Sequence, residues 1–248
     1  MNIFRFLGDL SHLVSIWLLL HKMTTSKSCT GISFKTQALY ALVFATRYLD
    51  LLYGSWHSMY NVAMKIFFIG SSLYILYLIK VPFKPTRDPA IDTFKLEYLV
   101  GGALIMSLIA NYEYSFPEIL WSFSIWLEAV AILPQLFIIQ RTGEAENITT
   151  HYVAALGAYR GLYIPNWLYR YFAEGFFDPI AVIAGIIQTV IYLDFFYIYF
   201  TKVLKGQKFE LPKKNAFNNI NLQEDTETNK RVHGTNGTTA LNAGAFES

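Results

Sequence analysis

The side chains with the most chemistry to offer stand where a charge is hardest to keep. Arg47 and Asp50 lie three residues apart in one apolar run, Glu128 sits in the middle of another, and Arg160 and Asp194 occupy two more. On a helix that spacing would put Arg47 and Asp50 on one face. Near the ends of the runs are Arg5, Asp9, His12, Glu118, Arg170 and Asp178. An Arg or Asp at the bilayer centre costs about 2.5–3.5 kcal/mol even on a lenient insertion scale. Arg47 and Arg160 must therefore face a polar interior and be paired. A guanidinium so placed is suited to carboxylates, which it takes through paired, charge-assisted hydrogen bonds. The plainer alternative is that both arginines pair with Asp50 and Glu128 only to fix helix packing. That leaves Arg5 and Arg170 unexplained.

Aromatic residues accompany these charges. Tyr48, Trp121, Tyr159, Tyr163, Trp167 and Tyr169 fall within a turn or two of the Arg and Glu positions. Tyr159, Arg160, Tyr163, Trp167 and Arg170 follow a spacing that forms one stripe on a helix. Such a stripe is unsuited to lipid and reads as the wall of a wet cavity that accepts carboxylates. Trp126 and Tyr199 read instead as ordinary interface aromatics.

The elements that must position these groups are membrane spans. Of the 248 residues, 54% are apolar and only 15% are charged, against roughly 25% charged in a soluble domain. A helix needs about 20 mostly apolar residues to cross a bilayer. Seven runs qualify: Ile3–His21, Thr36–Tyr53, Tyr60–Lys80, Leu96–Asn111, Pro117–Gln140, Tyr152–Arg170 and Pro179–Thr201. Pro134-Gln135 is expected to interrupt the fifth and Pro165 the sixth. The first run has no small-residue cleavage site after it, so it reads as a span rather than a removable signal. Thr24–Gly31, Lys80–Pro89 and Arg141–Thr150 read as loops. The single cysteine, Cys29, excludes an internal disulfide.

Basic residues set the orientation. Lys22, Lys27 and Lys35 follow the first span, Lys80, Lys84, Arg87 and Lys95 the third, Arg141 the fifth, and Lys202, Lys205, Lys208, Lys213 and Lys214 the seventh. The opposite side has few beyond Arg5 and Arg170 and carries Glu113, Glu118, Glu174 and Asp178. The expectation is a lumenal N-terminus and a cytosolic C-terminus. The glycosylation triplets at Asn147 and Asn236 would then be cytosolic and unmodified. The chain divides into a membrane domain over 1–208 and a cytosolic tail over 209–248. Lys213–Ser248, rich in Asn, Thr and Gly, is expected to be disordered.

Several ordered blocks resemble the KDEL receptors, the ER lumen protein-retaining receptor family. They are Met1-Asn2-Ile3-Phe4-Arg5 with Gly8-Asp9-Leu10-Ser11-His12, Thr46-Arg47-Tyr48-Leu49-Asp50-Leu51, Glu118-Ile119-Leu120-Trp121 and Ala131-Ile132-Leu133-Pro134-Gln135-Leu136. Thr142-Gly143-Glu144-Ala145-Glu146 with Ile148-Thr149-Thr150-His151-Tyr152, Glu174-Gly175-Phe176-Phe177-Asp178 and Lys202-Val203-Leu204-Lys205-Gly206 follow. The resemblance implies an all-α membrane fold of seven helices like the SWEET and PQ-loop transporters, two three-helix repeats joined by a linking helix. It implies a Golgi and endoplasmic reticulum receptor. Such a receptor binds the C-terminal Lys/His-Asp-Glu-Leu tail of escaped lumenal proteins at the lower Golgi pH and returns them in COPI-coated vesicles.

Carried over by position, Arg47 with Tyr159 would hold the terminal carboxylate, with Tyr48 and Tyr163 also in the ligand site. Asp50 and Glu118 would take the tail's basic residue beside Trp121, and Arg5 and Arg170 with Trp167 would face its acidic side chains. Glu128 and Arg160 would form a paired switch and His12 the proton sensor, with Asp178 and Asp194 as further gating candidates. Lys202, Lys205 and Lys208 would bind the coat. The tail Lys213–Ser248 has no counterpart in that pattern, and Pro82–Ile91 diverges from it. A proton-coupled small-solute transporter is the main alternative, since it shares the fold and its intramembrane acids. A G-protein-coupled receptor is disfavoured because Tyr77-Leu78-Ile79-Lys80 ends the third span without an acidic-Arg-Tyr triplet. No metal cluster or nucleophile elbow argues for an enzyme or a cofactor.

Overall fold

The computed structural model describes residues 2–53 and 58–211. The expected disorder of Lys213–Ser248 and the Asn236 triplet lie outside the described residues. Helices form at all seven apolar runs. They are α1 (Ile3–Ser26), α2 (Phe34–Arg47), α3 (Met59–Lys80), α4 (Leu96–Ile109), α5 (Phe116–Val130), α6 (Leu133–Thr142), α7 (Asn147–Glu174), α8 (Pro179–Ile191) and α9 (Leu193–Thr201). By length and hydropathy α1, α3 and the continuous stretch Phe116–Thr142 can each cross a membrane. The stretches Pro179–Ile191 and Leu193–Lys205, bent by 44°, pass the same test together and count as a fourth where the bent pair is one span. α2 and α4 have 14 residues each, and α7 is long but diluted by Thr, Tyr, Asn and Arg.

Several boundaries differ from the sequence expectation, each for a local reason. α1 runs into the expected loop because the Thr24 and Ser26 hydroxyls hydrogen-bond back to the Leu20 and Lys22 carbonyls. It stops at Lys27, whose φ is 48°. α2 ends at Arg47, followed by a short 3-10 turn at Leu49–Leu51. Asp50 is therefore off the helix and does not share the Arg47 face. The fifth run breaks at Ala131–Ile132, just before the expected Pro134-Gln135, so that Pro134 falls in the first turn of α6 where its missing N–H is not needed. Pro165 does not interrupt α7, which stays helical through it.

The bundle buries polar residues within an apolar core and turns large apolar side chains outward. Ser122, Ser124, Glu128, Gln135 and Gln188 are completely buried, whereas Trp17, Ile66, Ile105, Ile109, Tyr197 and Phe200 face outward. In a bilayer this places hydrocarbon against lipid and polar groups against each other. The chain is thus an all-α membrane protein. α5 is its axis, with every residue from Ser122 to Ala129 buried. α2, α4 and α8 pack around it, α3 lies on α2, and α1 runs along α7, which also packs on α8.

Small residues set how closely these helices approach. A Cβ on Gly8 of α1 would come within 2.8 Å of Tyr163 Cε2, and one on Gly185 of α8 within 2.0 Å of Trp167 Cη2. At the Lys-rich end Gln135 ties α6 to α2, accepting from Ser33 N at 2.8 Å and donating to the Gly31 carbonyl at 2.8 Å. Asp92 caps α2 through Ser33 Oγ at 3.0 Å and Lys35 N at 3.1 Å. There β1 (Glu144–Ala145) pairs antiparallel with β2 (Phe209–Glu210), so ordered chain continues two residues past the expected end of the membrane domain at 208.

Candidate functional site

The polar interior centres on Glu128. Its carboxylate is fully buried and serves three partners from two other helices. Oε1 accepts from the Tyr159 hydroxyl at 2.5 Å. Oε2 meets Arg160 Nη2 at 2.8 Å and also Arg47 Nη1. Arg47 Nε donates to Ser124 Oγ, and Nη2 to the Ser124 carbonyl, both at 3.0 Å. Arg160 Nε donates to Gln188 Oε1 at 2.5 Å, and its guanidinium carbon lies 5.2 Å from the Tyr159 ring centre. α2, α5, α7 and α8 each contribute to the cluster.

Two guanidiniums thus share one carboxylate, and this cluster holds one formal positive charge in excess. A buried charge is tolerable when paired and hydrogen-bonded. Here the second arginine is only half neutralised, so the cluster can accept another anion. Arg160 is buried, whereas Arg47 keeps 15% of its side chain exposed. Arg47 is the arginine such an anion can reach.

Around this cluster lies an aromatic layer. The His12 imidazole is buried between the rings of Phe68 and Tyr159, with centroids at 4.6 and 4.5 Å. Its charged neighbours are Glu128, Arg160 and Arg47. Asp9 accepts from Tyr163 at 2.8 Å and from Tyr60 at 3.1 Å. Tyr48 stacks on Phe44 at 5.8 Å. Nearer the end of the bundle Arg170 pairs with Glu174 at 2.8 Å and covers the Phe176 ring at 4.0 Å. Arg5 follows the α1 cap, where Asn2 also donates to Asn166 at 2.8 Å.

Asp178 caps α8 through Ala181 N and accepts from Tyr112 at 2.7 Å. Burial and that hydrogen bond push the Tyr112 phenol up to about 12, so it remains a donor at cellular pH. Trp121 lies 6.1 Å from the Tyr112 ring. Glu118 sits in the first turn of α5.

The structure thus brings Arg47, Tyr159, Arg160, Glu128 and His12 together. Asp50 instead pairs with Lys65 of α3. The α7 stripe is real but divided: Tyr159 and Arg160 turn to Glu128, Tyr163 to α1 and Trp167 to α8. Among the described residues, a cavity of about 40 Å³ lies beside Trp167 and Arg170 and one of about 20 Å³ beside His12. Asp194 stands apart from the cluster, exposed on α9. At the far end Lys202 donates to the Glu210 carbonyl at 2.6 Å, Lys205 is exposed, and Lys208 borders a cavity of about 630 Å³. Sequence reasoning missed Lys65, Ser124 and Gln188. Lys65 was legible as a lone lysine within an apolar run. Ser124 and Gln188 are uncharged and left no comparable signal.

Fold and site together define a helical membrane protein whose buried polar cluster carries excess positive charge within an aromatic layer. Comparison narrows the class. The ER lumen protein retaining receptor family model matches residues 28–170. ER lumen protein-retaining receptor 2 of Gallus gallus is 58% identical over 212 residues, which is 86% of this chain and all of that protein. The receptor of the same name from Homo sapiens is 57% identical and the ER lumen protein-retaining receptor of Drosophila melanogaster 54%, over the same shares. The chain belongs to the ER lumen protein-retaining receptor family.

Proposed function

We propose that this protein is a receptor of Golgi and endoplasmic reticulum membranes that captures Lys/His-Asp-Glu-Leu tails of escaped lumenal proteins and returns them to the endoplasmic reticulum. The observation that carries this reading is the sharing of Glu128 by Arg47 and Arg160. The cluster lacks one anion, and a tail's terminal carboxylate supplies one. Family membership disfavours the proton-coupled transporter. In this reading the seven helical runs are seven spans, with α4 linking two three-helix repeats, the N-terminus lumenal and the C-terminus cytosolic.

Within that frame Arg47, Tyr48, Tyr159 and Tyr163 receive the terminal carboxylate. Arg5, Arg170 and Trp167 face the acidic side chains, and Asp50, Glu118 and Trp121 the first, basic one. Asp178 and Asp194 are assigned to gating with the Glu128–Arg160 pair.

His12 is the proposed pH sensor. It faces Glu128, Arg160 and Arg47, whose charges sum to one positive. A bound carboxylate cancels that charge, so the tail and a proton on His12 favour one another. The bound state then holds more protons, and affinity rises as pH falls. One proton taken up on binding raises affinity by up to about tenfold for each unit by which pH falls. Titration of purified receptor with tail peptide from about pH 5.5 to 7.5 should show this gain, and His12→Ala should flatten it. Absence of binding at every pH would end the receptor reading. A His12→Ala receptor that binds well with the full slope would exonerate His12 alone.

On the cytosolic side Lys202, Lys205 and Lys208 are assigned to COPI recruitment. Changing all three to Ser should block Golgi-to-endoplasmic-reticulum return, followed by imaging, while peptide affinity stays at the wild-type value. Unimpaired return would reduce these lysines to ordinary positive-inside residues.

A further inference from the structure

Lys65 is a basic residue inside the apolar run of α3, with its ammonium on Asp50 Oδ2 and 5.7 Å from the centre of the Tyr48 ring. Both partners are partly buried, Lys65 at 23% and Asp50 at 41% side-chain exposure. The other carboxylate oxygen, Asp50 Oδ1, is buried and has no hydrogen-bond partner among the described residues. Glu118 Oε1 is in the same condition. Two acids assigned to the tail's basic side chain therefore each hold an unused acceptor, and one of them already carries a cation from this chain.

Resting on the receptor reading above, we infer that Lys65 is a specificity-determining residue. Its ammonium occupies, at Asp50, the place that the tail's first, basic side chain takes. A tail beginning with Lys brings a second ammonium to a carboxylate that is already neutralised. It gains only the difference between its own contact and the one Lys65 gives up, and the two cations repel. A tail beginning with an uncharged residue leaves the Lys65–Asp50 pair undisturbed. Lys65 thereby sets how strongly a basic first residue is preferred.

Removing the lysine charge should widen that preference from both sides. Asp50 becomes fully available to a basic first residue. An uncharged-first tail, whose remaining groups are anionic, meets one more uncompensated negative charge.

The test is calorimetric titration of the full-length receptor in detergent with the tetrapeptides Lys-Asp-Glu-Leu and Ala-Asp-Glu-Leu. Lys65→Met should raise the ratio of their affinities about tenfold over wild type. Lys65→Gln should raise it in the same direction and serves if the methionine variant does not fold. Asp50→Asn should weaken the Lys-first tail more than the Ala-first tail. In an Asp50→Asn background Lys65→Met should no longer widen the ratio, since the two residues act through one contact. Equal weakening of both peptides by Lys65→Met would mean that Lys65 only attracts the tail's acids. A narrowed ratio would mean that it only holds Asp50 in place. Either result overturns the inference. If the wild type binds neither peptide, the receptor reading itself falls. If it binds both and the ratio does not move, only the role of Lys65 falls.

Discussion

Arg47→Ala is expected to weaken tail binding by about 2 kcal/mol or more, roughly thirtyfold or worse, while the receptor stays folded. Both halves of this expectation follow from the cluster. Arg47 is the half-neutralised, partly exposed guanidinium, and no other group in the cluster offers an anion the same reach. Its removal leaves Glu128 with Arg160 at 2.8 Å and the Tyr159 hydroxyl at 2.5 Å, so the buried carboxylate keeps a cation and a donor. Calorimetric titration should show the loss, and a thermal melt in detergent should show little change. A peptide with an amidated C-terminus should lose binding to the wild type by a similar factor, because it lacks the charge that Arg47 receives. Full-strength binding of the amidated peptide would refute the assignment of Arg47 to the terminal carboxylate.

Glu128→Ala should act the other way round, on stability before binding. It leaves two guanidiniums facing each other inside the bundle with no carboxylate between them. Removing one partner of a buried ion pair typically costs about 3–5 kcal/mol, because the surviving charge is left unpaired. The receptor should therefore melt far below wild type or fail to accumulate. Glu128→Gln should be milder, since an amide oxygen still accepts from Tyr159 and one arginine. Saturating tail peptide should recover part of the lost stability, since its carboxylate brings the missing anion to the arginines. A Glu128→Ala receptor with a wild-type melting curve would mean that the arginines do not depend on this carboxylate. The further roles assigned to Glu128 and Arg160 would lose their basis.

The Glu128 cluster also marks how far sequence reasoning reached. Arg47, Glu128 and Arg160 were legible one by one, because each is a full charge in an apolar run and a lipid-facing charge is costly. Their grouping was legible only as alternatives, and the plainer one, in which Arg47 pairs with Asp50, does not form. That alternative assumed a helix running through Asp50. α2 ends at Arg47, and the following turn carries Asp50 to Lys65 instead. The helical stripe on α7 was likewise correct as a spacing, but spacing cannot say which neighbour each side chain meets. Tyr159 turns to α5 and Tyr163, four residues on, to α1.

By itself the sequence determined that the chain lies in a membrane, where its helices fall, which charges must be buried, and that its ordered blocks resemble a receptor family. All of these rest on composition, local periodicity and residue order, which are properties of neighbours along the chain. Only the tertiary structure decided that one carboxylate serves two arginines, that Lys65 holds Asp50, and that Ser124 and Gln188 complete the site. Each of those pairings joins different elements of the fold. Their mutual rotation and depth are set by close contacts such as Gly8 on Tyr163 and Gly185 beneath Trp167. Sequence spacing constrains partners within one helix, three or four residues apart, and is silent about partners across the bundle. Uncharged polar groups such as Ser124 and Gln188 cost too little in an apolar run to reveal themselves before the fold brings a charge to them.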